Sequence, residues 1–396
     1  MRILLSDGSG LTARQTANRL HAAGHTVEVL SPDPLCLCRF TGHVRRVHRT
    51  PPYGQDPLGW LDAAVAAYER GGFDLLFPTQ EQVAVLAALP SRLASAGMVT
   101  AVPPFTALAA VQDKVSAFAT LTRLGIPQPQ AAVGSAGWNR FPAFVKEPIG
   151  TASGGVIRVG SAAELQRVSG GGEGRLVQAA VEGRLAMCQS VWDHGTRTAF
   201  HANLRVAEGA SGGASHKQGV DLPVAEAALD TLGTDLGWHG ALSADVILTD
   251  DGPSFIDINP RLVEPENAWL DGVDLVGALL DAALGRPPRP QRAETPVAAT
   301  HQLLLAVLGA AQQGRGRRGV VAELRAAHHH CGPYSGSREE LTPLRRDPLA
   351  AVPVALAVTA TLARPATWTW FTSGSVTNYA LTAGAWDRIV AVAERP

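Results

Sequence analysis

Over its first third the chain alternates short apolar runs with amphipathic stretches. RILLS is followed by an Ala/Leu-patterned helix over residues 12–23, then by HTVEVLS, a helix around 57–70, FDLLFP and another helix from Glu81. Apolar strands separated by helices of crossover length predict a parallel sheet covered on both faces. ALAAVQDKVSAFATLTRLGIPQPQ reads as one or two helices ending at Gly125, because Pro127 and Pro129 forbid continuation. From Phe141 the pattern shortens to FPAFVKE, GGVIRVG, GRLVQAAVEG, LAMCQSVWD and RTAFHANLRV, with Gly-rich turns between them. That predicts an antiparallel region, with SAAELQRV and VAEAALDTLGTDLG inserted as helices. GALSADVILTD and PSFIDINP read as a hairpin around TDDGP. A helix over 273–284 precedes GRPPRPQRAETP, a Pro/Arg-rich boundary. Beyond it AAVPVALAVTATLA reads as a buried helix, and the architecture around ATWTWFTSGSVTNYAL is left open by the pattern.

Composition narrows the class. A chain of 396 residues that is 46% hydrophobic and 17% charged is long enough for two or three globular domains. A net charge of −1 offers no bulk attraction for nucleic acid or an anionic membrane, and no apolar run reaches the roughly 18 residues of a membrane span. The four cysteines (Cys36, Cys38, Cys188, Cys331) are too scattered for a disulfide framework, and MRILLSDGSG reads as a strand and turn rather than a signal peptide. A cytoplasmic protein is expected. Lysine is scarce: Lys114, Lys146 and Lys217 are the only ones, so each kept where Arg is the default carries information.

Four segments bring together the chemistry. VQDKVSAF places Lys114 at a helix start, and FVKEPIGTASGGV ends an apolar strand on Lys146 before a turn of Gly, Thr and Ser. RLVQAAVEG runs an apolar strand into a glycine, and ADVILTDDGPSFIDINPRL sets Asp245, Asp257, Asn259 and Arg261 on two adjacent strands. A triphosphate needs cations and backbone N–H donors in a loop free of bulky side chains. Lys146 supplies the charge, while Thr151, Ser153 and Gly154 supply hydroxyls and pliable backbone. Magnesium takes hard oxygen ligands, commonly one or two carboxylates. Asp257 and Asn259 lie two apart on a strand and so share a face, with Asp245 able to sit opposite and Arg261 continuing the alternation. Burying such polar residues on an apolar strand is costly without a ligand or partner.

In order and spacing these segments resemble the ATP-grasp superfamily, whose members include biotin carboxylase, carbamoyl-phosphate synthetase and D-alanine–D-alanine ligase. FPTQEQVAVLA resembles the end of the family's first domain, DKVSAFATLTRLGIPQPQ its helix ending in a Gly-Ile-Pro-x-Pro turn, and FVKEPIGTASGGV its strand and phosphate loop. GALSADVILTDDGPSFIDINPRL resembles its metal hairpin, with Asp245 and Asp257 at the family spacing. The resemblance implies an ATP-grasp fold combining α/β and α+β parts. An N-terminal parallel α/β domain (1–103) would precede an ATP-grasp domain (104–286, divided near 175) of two ATP-gripping α+β subdomains, then a C-terminal extension (287–396).

By the same resemblance Lys114 and Lys146 contact ATP phosphates, with Thr151, Ser153 and Gly154 in the loop. Gln178 and the backbone of Ala180 and Val181 line the adenine pocket, and either Glu182 takes the ribose role or the ribose is held differently. Asp245, Asp257 and Asn259 hold two Mg²⁺ ions, with Mn²⁺ able to substitute. Arg261, Lys146 and Arg205 act on the transferring phosphoryl group, and Glu264, Glu266, His216 and Lys217 face the substrates. Two departures stand out: the second metal carboxylate, usually Glu, is Asp257, and Leu185 stands where many members carry an acid for the ribose.

The implied activity is ligation of a small-molecule carboxylate, activated as an acyl phosphate, to an amine, in amino-acid, peptide or natural-product biosynthesis. Neither nucleic acid nor membrane is expected as partner, and a homodimer is compatible. Three alternatives remain at this stage. SDGSGLTA, with Gly8, Gly10 and Ala13 followed by Asp33, partly matches a dinucleotide fingerprint and an NAD(P) oxidoreductase. The chain is otherwise a non-catalytic ATP-binding relative, or a zinc protein using His328, His329, His330 and Cys331.

Overall fold

The computed structural model describes residues 1–169 and 174–394. Among them the strands form three sheets. The first comprises β1 (Arg2–Leu5), β2 (Thr26–Ser31), β3 (Val44–Arg49) and β4 (Leu75–Phe77), all parallel, in the order β3-β2-β1-β4. Apolar residues on both strand faces explain the doubly covered layer. Ile3, Leu5, Val27 and Val29 pack with Ala17 and Leu20 of helix Leu11–Ala22, and Leu4, Leu30 and Leu76 pack with Trp60 and Leu61 of helix Pro57–Gly71. The helix expected from Glu81 is split into Val83–Ala88 and Pro90–Ser95, since Pro90 has no N–H to continue the first.

The next segment is two helices, Phe105–Gln112 and Lys114–Arg123. Asp113 between them is extended, and its carboxylate accepts the Val115 and Ser116 N–H groups at 2.7 and 3.0 Å. This cap fixes Lys114 at the start of the second helix. The second sheet is antiparallel: β5 (Ala131–Val133), β6 (Ala143–Lys146), β7 (Val156–Val159) and β8 (Leu176–Ala179), ordered β5-β8-β6-β7.

The third sheet holds β9 (Arg184–Asp193), β10 (Thr196–Glu208), β11 (Ala214–Gly219), β12 (Gly240–Thr249), β13 (Gly252–Asn259), β14 (Gln291–Arg292), β15 (Ala299–His301) and β16 (Arg338–Glu339). Its order is β13-β12-β9-β10-β11-β15-β16, with β14 beside β10. Strand alternation gives it two unlike faces. Cys188, Ala202, Leu242, Ala244 and Val246 pack with Leu229 and Leu232 of helix Pro223–Asp235. The opposite face is polar, yet Gln189, His201, Asn203, Lys217, Ser243 and Thr300 are all buried.

Two parts of the chain cover that polar face: the N-terminal sheet domain and the segment beyond the Pro/Arg-rich stretch. The latter adds β14 to β16 and then the helices Leu303–Gln312, Gly316–His328, Ala351–Ala363 and Trp368–Thr377. AAVPVALAVTATLA is only half-buried, a correction to the sequence expectation: Val354 and Ala357 face inward, while Leu356 is 53% exposed. It packs against Leu303–Gln312 along one side. ATWTWFTSGSVTNYAL is helical over Trp368–Thr377 despite its β-branched and aromatic content, with Trp368 and Phe371 half-buried against Leu304, Leu305 and Leu308. The last helix, Ala383–Val392, returns to the N-terminal domain, where Trp386 and Ile389 join the core of Trp60 and Leu86.

Arg14 ties these parts together. Its Nη2 lies 2.7 Å from Asp347 Oδ2, with the two side chains 0% and 2% exposed, and its Nη1 donates to the Phe40 carbonyl at 2.8 Å. Replacing Arg14 by Met leaves Asp347 buried without its cation. Urea unfolding is expected to show a loss of about 3–5 kcal/mol; a loss under about 1 kcal/mol would contradict this role.

Candidate active site

The loop after β6 begins with Lys146, whose Nζ donates to the Ile256 carbonyl at 2.7 Å across to the third sheet. Ile256 is the extra residue of a bulge in β13: Asp257 pairs with Asp245, but the next pair is Phe255 with Val246. The bulge turns its carbonyl toward the lysine and joins the two sheets. Burial pushes the Lys146 ammonium down from its ordinary pKa; Lys114 acts in the same direction, and Asp257 and Asp245 oppose it. All four charges therefore lie within electrostatic reach of one another.

Lys114 is held from below by its own N–H, which donates to the Pro148 carbonyl at 2.9 Å, while its Nζ lies 3.4 Å from the Gly150 carbonyl. Gly150 has to be glycine, because a Cβ there would strike the Gly154 carbonyl oxygen. Ala152 and Ser153 follow with φ of 51° and 62°, the central pair of a tight turn closed by the Gly154 N–H on the Thr151 carbonyl at 2.9 Å. Thr151 Oγ1 accepts the Leu381 N–H at 3.2 Å, so the C-terminal extension reaches the loop directly.

On the third sheet Asp245 stands opposite Asp257 in the β12–β13 register, and Asn259 shares their face. Burial, then the neighbouring Asp257, pushes the Asp245 carboxyl up to about 7. Two carboxylates set side by side in a desolvated site are unfavourable alone, and their chemistry is that of a divalent-cation site. With two lysines facing them and a glycine-rich loop beside them, the residues fit Mg²⁺ together with a polyphosphate.

Arg261 is brought to the same place, but its Nε donates to Glu81 Oε1 at 3.0 Å, a residue to which the sequence reading gave no role. Tyr379 and Asp245 also lie within its electrostatic reach. Arg205 sits opposite Lys217 in the β10–β11 register, with Nη1 on the Gly212 carbonyl at 2.9 Å. On the second sheet Gln178 is buried in β8, while Glu182 is exposed. The Ala180 N–H donates to the Pro142 carbonyl at 3.0 Å, so any adenine contact from Ala180 comes from its carbonyl; Val181 is half-buried beside it.

The expected substrate residues divide. Lys217 is 2% exposed and contacts Glu264 and Glu340. Glu266 is near, its N–H donating to Gln15 Oε1 at 3.0 Å, and burial pushes its carboxyl up to about 7. His216, next in sequence to Lys217, points to the opposite face, where it lies against His301 and Tyr334. Sequence reasoning missed Gln15, Glu81, Gln302, Glu340 and Tyr379. One available signal was the polar run TQEQ directly after an apolar strand; another was the period-two series His201, Asn203, Arg205 on a buried strand. The first turn also differs from a dinucleotide site: its Ser9 and Gly10 N–H groups already donate to Asp7 Oδ2 at 2.9 and 2.6 Å.

Residues 111–265 match the ATP-grasp domain family. The chain thus carries an ATP-grasp domain, set in an ATP-grasp fold of parallel N-terminal sheet, two antiparallel sheets and helical C-terminal region. A similar solved structure is the biotin carboxylase domain of Hydrogenobacter thermophilus 2-oxoglutarate carboxylase, a dimer in complex with MgADP, ADP and bicarbonate. It is 14% identical over 76% of this chain and 74% of that one, with a TM-score of 0.60. Campylobacter jejuni biotin carboxylase is 15% identical over 75% and 74%, with a TM-score of 0.59. N5-carboxyaminoimidazole ribonucleotide synthetase of Thermus thermophilus is 19% identical over 76% and 81%, at 0.55. No curated protein matches the chain. Among the described residues, no helix is long and apolar enough to cross a membrane.

The Asp245 carboxyl yields a pH prediction. Its folded pKa, raised from 3.8 to about 7, exceeds the unfolded value, so folding takes up a proton between those limits. The metal-free protein accordingly loses stability from this group as pH rises from about 4 to about 7. Asp245→Asn should remove that component: between pH 5 and 8, without metal, its melting temperature is expected to fall less than that of the wild type. Identical pH profiles would contradict the assignment.

Proposed function

We propose that this chain is an ATP-dependent ligase that activates a substrate carboxylate as an acyl phosphate and joins it to an amine, releasing ADP and phosphate. The observation that carries this reading is the convergence of Lys114 from a helix, and of Lys146, Asp245 and Asp257 from two sheets, onto one place. A structural scaffold has no use for two adjoining half-buried carboxylates faced by two lysines.

In this reading Asp245, Asp257 and Asn259 hold Mg²⁺, with Mn²⁺ able to substitute; the ions would neutralise charge on the phosphates. Lys114, Lys146, Thr151, Ser153 and Gly154 grip the triphosphate, and the low pKa direction of Lys146 reverses once anionic oxygens replace empty space beside it. Gln178 with the backbone of Ala180 and Val181 receives adenine, and the exposed Glu182 is free to reach the ribose. Arg261, shared with Glu81, faces the phosphoryl group during transfer and stabilises the charge developing on it. Arg205 lies one strand from Lys217 and serves the same end. The substrate carboxylate oxygen forms the bond to γ-phosphorus as the bond to the ADP oxygen breaks. The amine nitrogen then attacks the acyl carbon, phosphate leaves, and the nitrogen gives up a proton. Glu266, with a pKa near 7, is suited to take it.

Residues 1–103 would form the wall of the substrate site, 104–286 the ATP grip, and 287–396 its cover. Small molecules are the expected partners, in a cytoplasmic setting. A homodimer is proposed by analogy with the dimeric Hydrogenobacter domain, and the product class is an amide of amino-acid or natural-product type. The direct test is ADP release with a panel of carboxylic acids and amines. Lys146→Ala and Asp257→Asn are each expected to lower turnover by about a hundredfold or more, with circular dichroism and melting close to wild type. Undiminished turnover in either variant would remove the assignment.

A further inference from the structure

Where helix Leu11–Ala22 meets the third sheet there is a second polar cluster that the nucleotide chemistry does not use. Lys217 on β11 donates to both Glu264 and Glu340. Gln302, 0% exposed, donates to the same two carboxylates, reaching Glu340 Oε1 at 2.7 Å, and Gln15 Nε2 reaches that oxygen at 3.2 Å. These side chains come from the first helix, the third sheet, the loop after it and the C-terminal extension. Glu264 holds a left-handed backbone, φ 53°, with its N–H on Thr12 Oγ1 at 3.2 Å. Such a conformation is costly for a residue other than glycine and persists only where the surroundings impose it.

The cluster is unbalanced in two ways. One lysine, Lys217, faces two carboxylates, Glu264 and Glu340, while the Arg19–Glu266 pair beside it, at 3.9 Å, has the Arg346 guanidinium within electrostatic reach. Among the described residues, no donor meets the buried acceptors Glu340 Oε2, Gln302 Oε1, Glu266 Oε2 and Asn267 Oδ1. The Asn267 amide nitrogen is already used, on the Ala298 carbonyl and Thr300 Oγ1, both at 2.9 Å. Each of these acceptors calls for a donor, and a donor that is also a cation suits two carboxylates met by one lysine. Water supplies donors without charge, and a divalent ion would sit against the Lys217 ammonium. A primary ammonium supplies three donors and a single positive charge.

We propose that this cluster, Gln15, Lys217, Glu264, Gln302 and Glu340, seats a primary ammonium carried by a substrate. The inference rests on the ligase reading for there being such a substrate. Strand order β12-β9-β10-β11 puts Lys217 three strand spacings, about 14 Å, from Asp245. That is one small-molecule length from the metal carboxylates. The ammonium belongs either to the molecule whose carboxylate is activated or to the incoming amine. The chemistry of the seat is the same for both.

Calorimetric titration without ATP tests this, using the standard amino acids, their amides, simple primary alkylamines, and the matching acids that lack the amino group. At least one ammonium compound is expected to bind tenfold or more tightly than its counterpart without the amino group. Glu340→Gln, which keeps the size and removes the charge, should weaken it tenfold or more while leaving Mg·ATP affinity unchanged; Gln302→Leu should act in the same direction. Binding by an amide or alkylamine assigns the seat to the acceptor, whereas a requirement for the free carboxylate assigns it to the activated substrate. Equal binding with and without the amino group, no binding by any compound, or unaltered affinity in both variants would overturn the proposal. A protein that binds an ammonium compound but consumes no ATP with any pair would overturn the ligase reading and leave the seat standing.

Discussion

Burying an ion costs several kcal/mol unless a partner meets it with good geometry, and this protein buries an entire polar sheet face. One side of the third sheet is an ordinary apolar core; the other carries Gln189, His201, Asn203, Lys217 and Ser243 beneath a cover of protein. The cover therefore has to deliver partners, and it does so from distant parts of the chain. Glu81 comes to Arg261 from the N-terminal domain, Glu340 and Gln302 come to Lys217 from the C-terminal extension, and Asp347 reaches back to Arg14. His201 is met by Asp271 at 2.8 Å.

The exception marks the chemistry. At Asp245 and Asp257 the register sets like charges side by side, and what faces them, Lys114 and Lys146, is bonded instead to the backbone carbonyls of Gly150 and Ile256. Carboxylates and lysines are thus near one another without being consumed by one another. A site of this kind is destabilising when empty and gains most from a ligand of mixed charge, a metal ion bridging anionic oxygens. Leu381 on Thr151, together with Asn378 Nδ2 on Ser9 Oγ at 2.9 Å, brings the C-terminal extension against both the loop after β6 and the first turn.

Much of this was legible in the residues. Strand–helix alternation gave the parallel domain, the Gly-rich short strands gave the antiparallel region, and TDDGP marked the hairpin that sets Asp245 opposite Asp257. The scarcity of lysine singled out the three positions that prove to be clustered about one sheet face. What could not be read was pairing across hundreds of residues: Gln15 with Glu340, Arg14 with Asp347, Glu81 with Arg261. Nothing local distinguishes Glu340 in REELTP from a solvated acid. Likewise His216 and Lys217 are neighbours in sequence, but the pleat sends them to opposite faces, and only the covering elements decide which face holds the site. The helix over ATWTWFTSGSVTNYAL was hidden because its composition favours a strand.

We propose that a helix and two sheets grip a metal–nucleotide complex between Lys114, Lys146, Asp245 and Asp257. Calorimetric titration of the protein with a non-hydrolysable ATP analogue tests it most directly, in Mg²⁺ and again in excess EDTA. One nucleotide per chain is predicted to bind in Mg²⁺, with at least tenfold weaker binding once the metal is chelated. No binding in Mg²⁺, or equal binding in EDTA, would contradict the account.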